Sequence, residues 1–248
     1  MGLKYTEPHK VTYYECDVTN AVTLPMMISI AIGASESQNN WLTGDPMYVY
    51  NRGLGWVITQ HEIWVHRYPR QDEEIYVTTE ADTYNKYFCY RNFYMHDIEG
   101  NELMKMTSVF VLMDLQERHI VAVPDEVIGV YQAEKITKIK RFDPIPNLED
   151  PDSQQYRVRF SDIDGNGHVN NAKYLDWFMD VLGYDFLCQF EPAYASIRFD
   201  REVHYGNVID SEWQFQSQCD KNPVTVHRIS SGDHTCAEAK IDWRSRAE

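Results

Sequence analysis

The sequence lacks the features that mark secreted, disulfide-stabilised and membrane-spanning proteins. Its five cysteines are an odd number without CxxC spacing, which favours free thiols in a reducing compartment over a disulfide framework. No apolar run approaches the roughly 18 residues that a membrane span requires, and no signal-peptide core is recognisable. These absences predict a cytoplasmic protein without a membrane partner. The cysteines are Cys16, Cys89, Cys188, Cys219 and Cys236.

Basic residues are also in short supply. The 248 residues include 23 Lys and Arg against 38 Asp and Glu, which gives a formal net charge of −15 at pH 7. Because binding to phosphate groups requires a basic surface, this composition argues against nucleic acids and anionic membranes as partners.

What the chain does contain is a large apolar and aromatic fraction. Apolar residues make up 43% of the sequence and aromatic residues 13%. This is enough to bury a core, and the aromatic content favours a β-rich structure. The length allows one large domain or two domains of about 100–150 residues each.

A repeated order of predicted elements favours two domains. Each half has a helix followed by strands of period-2 alternation, and the last two strands form a hairpin. The first helix is predicted from Leu24, Met27, Ile28, Ala31 and Ser35. The second is predicted from Val169, Ala172, Leu175, Phe178, Met179 and Leu182, with Asn170 or Asn171 as N-cap and Gly183 as the end. The predicted strands are 56–67, 74–84, 86–97, 102–113, 194–205, 211–219, 224–230 and 235–243.

This duplication predicts an α+β fold in which each half is a helix wrapped by an antiparallel sheet. The predicted domains are residues 1–132 and residues 154–248. Residues 133–153 between them contain prolines and a basic run, and we interpret them as a linker.

The segment from Ser161 to Asn171 has the clearest potential for chemistry. In an extended approach to the second helix, Asp164, Asn166 and His168 lie at alternate positions and point the same way. The glycines between them let the backbone approach a ligand, and the helix N-terminus that follows favours a developing negative charge. On these residues alone, an active site and a simple turn with a helix cap are equally well supported, because Asp, Gly and Asn are also common turn residues.

Residues 162–177 resemble a signature of the plant and bacterial acyl-acyl carrier protein (acyl-ACP) thioesterases. The stretch Asp-Ile-Asp-Gly-Asn-Gly-His-Val-Asn-Asn-Ala-Lys-Tyr-Leu-Asp-Trp is similar to the family pattern Asp-x-Asp-x-Asn-x-His-Val-Asn-Asn followed by Lys-Tyr and a Trp. Further similar blocks at matching spacing are 55–59, 68–69, 91–93, 108–111 and 124–127. The resemblance covers most of the chain. It implies a tandem (double) hot-dog fold and a bacterial enzyme that hydrolyses fatty acyl-ACP to free fatty acid and holo-ACP.

The resemblance also implies a catalytic set of Asp164, Asn166, His168 and Glu202. The family commonly has Cys after the glutamate, where this chain has Val203, so a Cys-His-Asn mechanism lacks its thiol here. We expect instead that Glu202, alone or with His168, activates a water that attacks the thioester carbonyl. The helix N-terminus would stabilise the oxyanion, while Asp164 and Asn166 orient the water and its partner side chains.

Glu202 lies within the predicted strand 194–205. Strand alternation places it on one face, and without the resemblance this face is better explained as ordinary solvated surface. The residues on that face are Arg198, Asp200, Glu202 and His204.

The matching segment of the first half lacks an imidazole. Aligning residues 16–21 with the motif puts Asp17, Thr19 and Ala21 at its three polar positions. We therefore predict one active site, in the second half, and an acyl pocket supplied by the first half. Core packing explains the apolar helix face in the first half equally well. The residues expected to line the pocket are Met26, Met27, Ile30 and Ser35.

No cofactor or metal site is predicted. The stretch from His61 to His66 has one residue too many for an HExxH motif and lies on a predicted strand.

A local landing patch for acidic ACP is predicted in the linker despite the net charge, because charges act over about 8–10 Å in physiological salt. A solvated linker is an equally good interpretation. The patch residues are Lys135, Lys138, Lys140 and Arg141.

Three other functions are compatible with parts of the sequence. The catalytic motif does not exclude a thioesterase that acts on coenzyme A esters. A hot-dog hydratase or dehydratase usually shows Asn-Pro-x-His or a helix glutamate, whereas Gly167 precedes His168 here. A non-catalytic acyl-binding module has no need of four polar groups beside an apolar slot.

The oligomeric state is open, with a homodimer as one option. The first strand is expected by about residue 10, which leaves no room for a plastid leader.

Overall fold

Antiparallel strands and two main helices make up the computed structural model, which describes residues 2–217 and 222–246. The chain divides into one unit of residues 1–22 and 27–142 and a second unit of residues 23–26 and 143–248. Cys219 and the end of the predicted strand 211–219 lie outside the described residues. The other four cysteines are free thiols, as predicted.

The first unit contains an antiparallel sheet and a long helix. Its strands are β1 (Lys4–Lys10), β2 (Leu54–Val65), β3 (Glu74–Tyr84), β4 (Phe88–Asp97), β5 (Glu102–Asp114), β6 (His119–Val121) and β7 (Glu134–Lys135). Its helices are α1 (Leu24–Thr43), apart from the first three residues, and the short α2 (Asp125–Ile128). The sheet order is β1-β3-β4-β5-β2, with β6 paired to β5 and β7 parallel to β3. Alternation sets the buried face: Ile75 and Val77 are 1% exposed, whereas Tyr76 between them is 45% exposed.

Helix α1 has the start and stop signals expected from the sequence. Pro25 occupies its second position, where a missing N–H costs no helical hydrogen bond. The helix ends at Gly44, which adopts the left-handed conformation (φ +67°) and donates its N–H to the Asn40 carbonyl at 2.8 Å. The predicted first helix is confirmed and extends to Thr43.

Helix α1 has a buried face and polar contacts with strand β4 and the start of the chain. Met27, Ala31 and Ala34 are fully buried at helical spacing. Polar contacts hold the other end of the helix: Gln38 Nε2 donates to the Leu3 carbonyl at 2.8 Å, and Arg91 of β4 donates to Gln38 Oε1 at 2.5 Å.

The second unit repeats this plan with a shorter helix. Its strands are β8 (Asp152–Arg157), β9 (Phe190–Phe199), β10 (Val208–Ser217), β11 (Val224–Ser231) and β12 (His234–Ser245), and its helices are α3 (Asn171–Asp180) and α4 (Tyr184–Gln189). The strands form an antiparallel sheet in the order β9-β12-β11-β10-β8.

Helix α3 packs on the middle of this sheet. Phe178 is fully buried, with its ring 5.4 Å from the His227 ring on β11. Burial of such a side chain contributes about 1.5–3 kcal/mol. Ser211 of β10 donates its hydroxyl to the Trp177 carbonyl at 3.2 Å. These contacts hold α3, and with it the residues before its N-terminus, at a defined position over the sheet.

The structure corrects two sequence-based expectations in the second half, the end of a strand and the end of the helix. The predicted strand 194–205 ends at Phe199 as β9, because the N–H groups of Asp200 and Arg201 both donate to the Cys236 carbonyl and turn the chain away. The second helix ends at Asp180, and Gly183 is the N-cap of the separate helix α4. Strand β8 begins inside the segment interpreted as linker.

The predicted α+β class is confirmed: each unit is a helix against an antiparallel sheet, the hot-dog arrangement that the resemblance implied. Among the helices of residues 2–217 and 222–246, none is both long and apolar enough to cross a membrane.

Candidate active site

The motif before α3 forms a tight backbone turn. The Asp164 N–H donates to the His168 carbonyl at 2.9 Å, and the Gly167 N–H donates to the Asp164 carbonyl at 3.0 Å. Gly167 adopts φ +83°, a conformation that favours glycine. The Asp164 side chain closes the turn by accepting the Asn166 N–H at Oδ1, at 2.8 Å. The turn therefore determines where His168 leaves the backbone.

An ion pair between the exposed Arg159 and the buried Asp162 supports the turn. Asp162 is 1% exposed and accepts from the Arg159 guanidinium at 2.8 Å and from the Arg159 N–H at 2.7 Å. Burial raises the pKa of Asp162, but the hydrogen bonds and charge of Arg159 outweigh it and hold this pKa below its usual value. The Asp162 carbonyl accepts the Asn170 N–H at 2.9 Å, which joins the turn to the start of α3.

His168 and Glu202 form the central contact of the site. His168 Nε2 lies 3.1 Å from Glu202 Oε2, and the two side chains are 20% and 28% exposed. Half-burial strengthens the interaction of the two groups relative to exposed surface while leaving access for a substrate. An imidazole and a carboxylate at this distance can together take a proton from a bound water.

Glu202 reaches His168 from an irregular segment and not from a strand. Residues 200–207 follow β9, and Val203 in this segment accepts the Val169 N–H at its carbonyl, at 3.0 Å. The four residues expected on one strand face consequently separate. Arg198 pairs with Asp200 at 3.1 Å, whereas Glu202 faces His168.

A second imidazole, that of His204, completes the cluster. Its ring centroid lies 5.0 Å from that of His168. The potential ligand atoms of His168, Glu202 and His204 all lie within 4.8 Å of one another. From the sequence, His204 is expected only as a strand neighbour of Glu202, and the alternate spacing of the two residues is the signal for its proximity. These three residues could hold a metal ion.

No thiol is placed to act as a nucleophile in the described part of this site. Val203 is 1% exposed. The nearby Cys236 is 2% exposed, and burial raises the pKa of its thiol. A buried thiol with a raised pKa is a poor nucleophile.

Tyr174 on α3 packs behind the motif. It is 3% exposed, and burial is the main factor that raises its pKa, with the acidic Glu202 and Asp164 adding to this effect. A backbone hydrogen bond with Val203 opposes the increase. Tyr174 therefore carries a proton at neutral pH and connects α3 to the segment that bears Glu202.

Two of the N–H groups in the first turn of α3 are already bonded to its cap residue, Asn170. Asn170 accepts the Ala172 N–H at its side-chain Oδ1, at 2.9 Å, and the Lys173 N–H at its carbonyl, at 2.8 Å. The N–H of Asn171 is the first-turn amide that these two bonds do not use. An oxyanion bound here would therefore face the Asn171 N–H and the positive end of the helix dipole.

The first unit forms the same backbone turn but has no imidazole at the position of His168. The Asp17 N–H donates to the Ala21 carbonyl at 3.0 Å, the Asn20 N–H donates to the Asp17 carbonyl at 3.0 Å, and Asn20 adopts φ +62°. The Thr19 N–H donates to Asp17 Oδ1 at 2.8 Å. This hydrogen-bond pattern matches that of the second unit, and it puts a methyl group where His168 has its imidazole.

The neighbouring segment is repeated as well. The Val22 N–H donates to the Pro69 carbonyl at 2.9 Å, as Val169 does to Val203 in the second unit. The residue before Pro69 is Tyr68, where the second unit has its glutamate. The first unit therefore has neither member of the imidazole–carboxylate pair at this turn.

The basic run of the linker is partly neutralised. Lys135 Nζ lies 3.5 Å from Asp125, and Lys140 Nζ lies 2.7 Å from Asp82. Both ammonium groups also lie over aromatic rings, those of Tyr84 and of Tyr90.

Two family models match the chain. The acyl-ACP thioesterase N-terminal domain matches residues 2–131, and the acyl-ACP thioesterase C-terminal domain matches residues 146–245. A solved structure from Lactobacillus plantarum, provisionally named an oleoyl thioesterase, is 37% identical with a TM-score of 0.94, covering 100% of this chain and 98% of that one.

Two chloroplast proteins of plants are similar in sequence. A Cuphea viscosissima acyl-[acyl-carrier-protein] hydrolase is 28% identical over 172 residues, which cover 66% of this chain and 42% of that protein. A Coriandrum sativum oleoyl-acyl carrier protein thioesterase is 24% identical over 263 residues, which cover 97% of this chain and 70% of that protein. Because the two family models together match most of its length, the chain belongs to the acyl-ACP thioesterase family.

Proposed function

We propose that this protein hydrolyses the thioester of fatty acyl-ACP to free fatty acid and holo-ACP. The observation that carries the proposal is the 3.1 Å contact of His168 with Glu202 directly before a helix N-terminus, in a chain of this family. The names of the two plant relatives, a hydrolase and a thioesterase of acyl carrier protein esters, support the same substrate.

The reaction begins with a water molecule bound beside the His168–Glu202 pair. The pair takes one proton from the water as its oxygen adds to the thioester carbonyl carbon. The carbonyl oxygen becomes an oxyanion that faces the Asn171 N–H and the start of α3. The C–S bond then breaks, the thiolate leaves, and the proton held by the pair passes to the departing sulfur.

Asp164 and Asn166 act on the geometry of the site. The Asp164 carboxylate accepts the Asn166 N–H and so maintains the turn that presents His168. Because Asn166 is exposed, its side-chain amide is available to orient the attacking water. Both residues belong to the catalytic set expected from the family resemblance.

The first unit contributes no second catalytic centre in this proposal. Its matching turn has Ala21 and Tyr68 where the pair would stand, which supports one active site per chain. The acyl pocket along α1, the division at residues 1–132, 133–153 and 154–248, the cytoplasmic location and a homodimer stay predictions from the sequence.

Carrier specificity is the sharpest test of the substrate. The wild-type protein would be given acyl-ACP and acyl-CoA with the same acyl chain, at matched concentrations, and released fatty acid would be measured by mass spectrometry. Faster turnover of the ACP ester, expressed as kcat/KM, is the expected result.

Two outcomes would overturn the proposal in different ways. A higher kcat/KM for acyl-CoA would make the protein a coenzyme A thioesterase with the same chemistry. Tight binding of acyl chains without hydrolysis of either ester would leave an acyl-binding module. In the second case, a melting curve that shows a folded protein excludes inactivation as the cause.

A further inference from the structure

We propose that one Zn²⁺ ion binds reversibly to His168, Glu202 and His204 and inhibits hydrolysis while it is bound. The inhibition rests on the proposed thioesterase function, whereas the binding site stands on its own geometry.

The three side chains are spaced as zinc ligands. Their ligand atoms all lie within 4.8 Å of one another, and His168 Nε2 is 3.1 Å from Glu202 Oε2. In a tetrahedral site with bonds of about 2.0–2.1 Å, neighbouring ligand atoms are about 3.3 Å apart. The distance between His168 Nε2 and Glu202 Oε2 is therefore already close to that between zinc ligands. Rotation of the exposed His204 side chain can bring its ligand atom to a similar distance from the other two.

The donor set suits zinc. Two imidazoles and one carboxylate are typical of sites in which zinc keeps a water as its fourth ligand. Cations that prefer oxygen ligands, such as Mg²⁺ and Ca²⁺, are disfavoured by two nitrogen donors. A single carboxylate also leaves the loaded site with a net positive charge, which the protein charge of −15 favours.

His204 is held near the other two ligands by a turn of its own. Its backbone N–H donates to Asn207 Oδ1 at 3.0 Å, and the Asn207 N–H donates to the His204 carbonyl at 3.2 Å. Gly206 in the same turn adopts φ +80°. The backbone of the ligand is therefore positioned, while its exposed ring is free to rotate.

The surroundings of the cluster favour exchange of the ion over permanent retention. In lasting zinc sites, each ligating imidazole donates its second N–H to a carboxylate or carbonyl group. Within residues 2–217 and 222–246, the His204 ring has no hydrogen bond of this kind, and it contacts the His168 ring. We therefore expect an ion that chelators remove.

Bound zinc would block the reaction by occupying the atoms that accept the proton. Coordination uses the single lone pair of His168 Nε2, so this nitrogen cannot take a proton from water, and the positive charge of the ion disfavours proton transfer to the Glu202 carboxylate. His204 completes the metal site but has no assigned part in the hydrolysis.

The experiment measures zinc binding and hydrolysis separately. ZnCl₂ alone would be titrated calorimetrically into chelator-treated wild type, His204→Gln and His119→Gln, the last removing an exposed imidazole of the first unit. Addition of Co²⁺ would report four-coordinate ligation by its visible absorption. Hydrolysis of acyl-ACP would be followed by fatty acid release with zinc and after EDTA, because the thiol product itself binds zinc. Each variant would be compared with its own zinc-free rate.

One zinc per chain in the wild type and in His119→Gln, with inhibition reversed by EDTA, is the expected result. His204→Gln should bind zinc at least about tenfold more weakly and lose the inhibition, with an unchanged melting curve. No zinc binding by an active wild type, equal affinity in both variants, or faster hydrolysis with zinc would overturn the proposal. Zinc binding by a protein that hydrolyses no thioester would leave the metal site standing and overturn the proposed function instead.

Discussion

At the residue scale, the contact between His168 and Glu202 follows from one backbone hydrogen bond. The Val169 N–H donates to the Val203 carbonyl at 3.0 Å. This bond joins two segments that are more than 30 residues apart in the chain, and His168 and Glu202 stand directly before the two bonded residues. The imidazole and the carboxylate meet at 3.1 Å for this reason.

Glu202→Gln tests the carboxylate with little change in shape. Loss of the base should lower kcat about 10²–10⁴-fold, with a small effect on KM. The readout is fatty acid release from acyl-ACP under saturating substrate. Asp200→Asn is the matched control, because it removes a carboxylate two residues away that pairs with Arg198 and not with His168. Equal losses in both variants would contradict the assigned role.

Val203→Cys tests whether a thiol at this position takes over catalysis. The side chain is 1% exposed, so the new thiol is expected to be buried, with a raised pKa and poor reactivity. Hydrolysis should be unchanged and should resist an alkylating reagent. Inactivation of this variant by the reagent, with the wild type unaffected, would mean that the position faces the substrate.

At the element scale, α3 and the turn before it act as one piece. The turn is tied to α3 by the bond from the Asn170 N–H to the Asp162 carbonyl, and α3 is tied to the sheet by Phe178 and Trp177. A change at the helix start is therefore transmitted to His168, two residues before the cap.

Asn170→Ala removes the side-chain cap of α3. Loss of the bond to the Ala172 N–H should cost about 1 kcal/mol of unfolding free energy, and kcat should fall because the first turn of the helix frays. Urea denaturation and fatty acid release are the measurements. Asn170→Asp restores an acceptor at the cap, so it should recover most of the stability. If Asn170→Ala were as stable as wild type, the cap hydrogen bond would contribute nothing to the unfolding free energy.

Some elements follow from local pattern and others do not. Strand β3 spans Glu74–Tyr84, as its alternation predicted. Strand β8 has no such pattern, since Asp152–Arg157 is mainly polar and becomes a strand by pairing with β10 at the sheet edge. The end of β9 at Phe199 does not follow from local pattern either. It is set by the N–H groups of Asp200 and Arg201, which donate to the carbonyl of Cys236 in another strand.

At the scale of the whole molecule, each unit buries one neutral histidine among the residues that the structure describes. His61 on β2 and His227 on β11 are 1% and 0% exposed, and burial lowers the pKa of each to about 3. Each ring has a hydroxyl partner, Ser108 at 2.8 Å and Thr225 at 2.7 Å respectively. Neither has a role in the proposed reaction.

These two histidines predict acid-sensitive stability. The unfolded chain binds a proton at each imidazole below pH 6.5, whereas the folded chain does so only near pH 3. Stability is therefore complete above the unfolded pKa and falls as the pH drops from 6.5 toward 3. Each residue should cost about 2 kcal/mol of unfolding free energy at about pH 5.

Urea denaturation at several pH values measures this effect. His227→Gln should reduce the pH dependence between about pH 7 and pH 5 by roughly half, whereas exposed His119→Gln should leave it unchanged. An identical pH profile in His227→Gln and wild type would mean that the imidazole is already protonated in the folded state.

The sequence by itself determined the α+β class, the two helices, most strands and the family, because periodicity and the motif at 162–177 are local properties of the chain. It also indicated His168 from the motif and Glu202 through the resemblance, and their catalytic roles stay predictions. Tertiary structure decided which polar residues meet: the pairing of Val169 with Val203 is a long-range hydrogen bond that no local pattern encodes. The same pairing brings His204 to the site and separates Glu202 from Arg198, because side-chain neighbours across a fold depend on where the backbone turns.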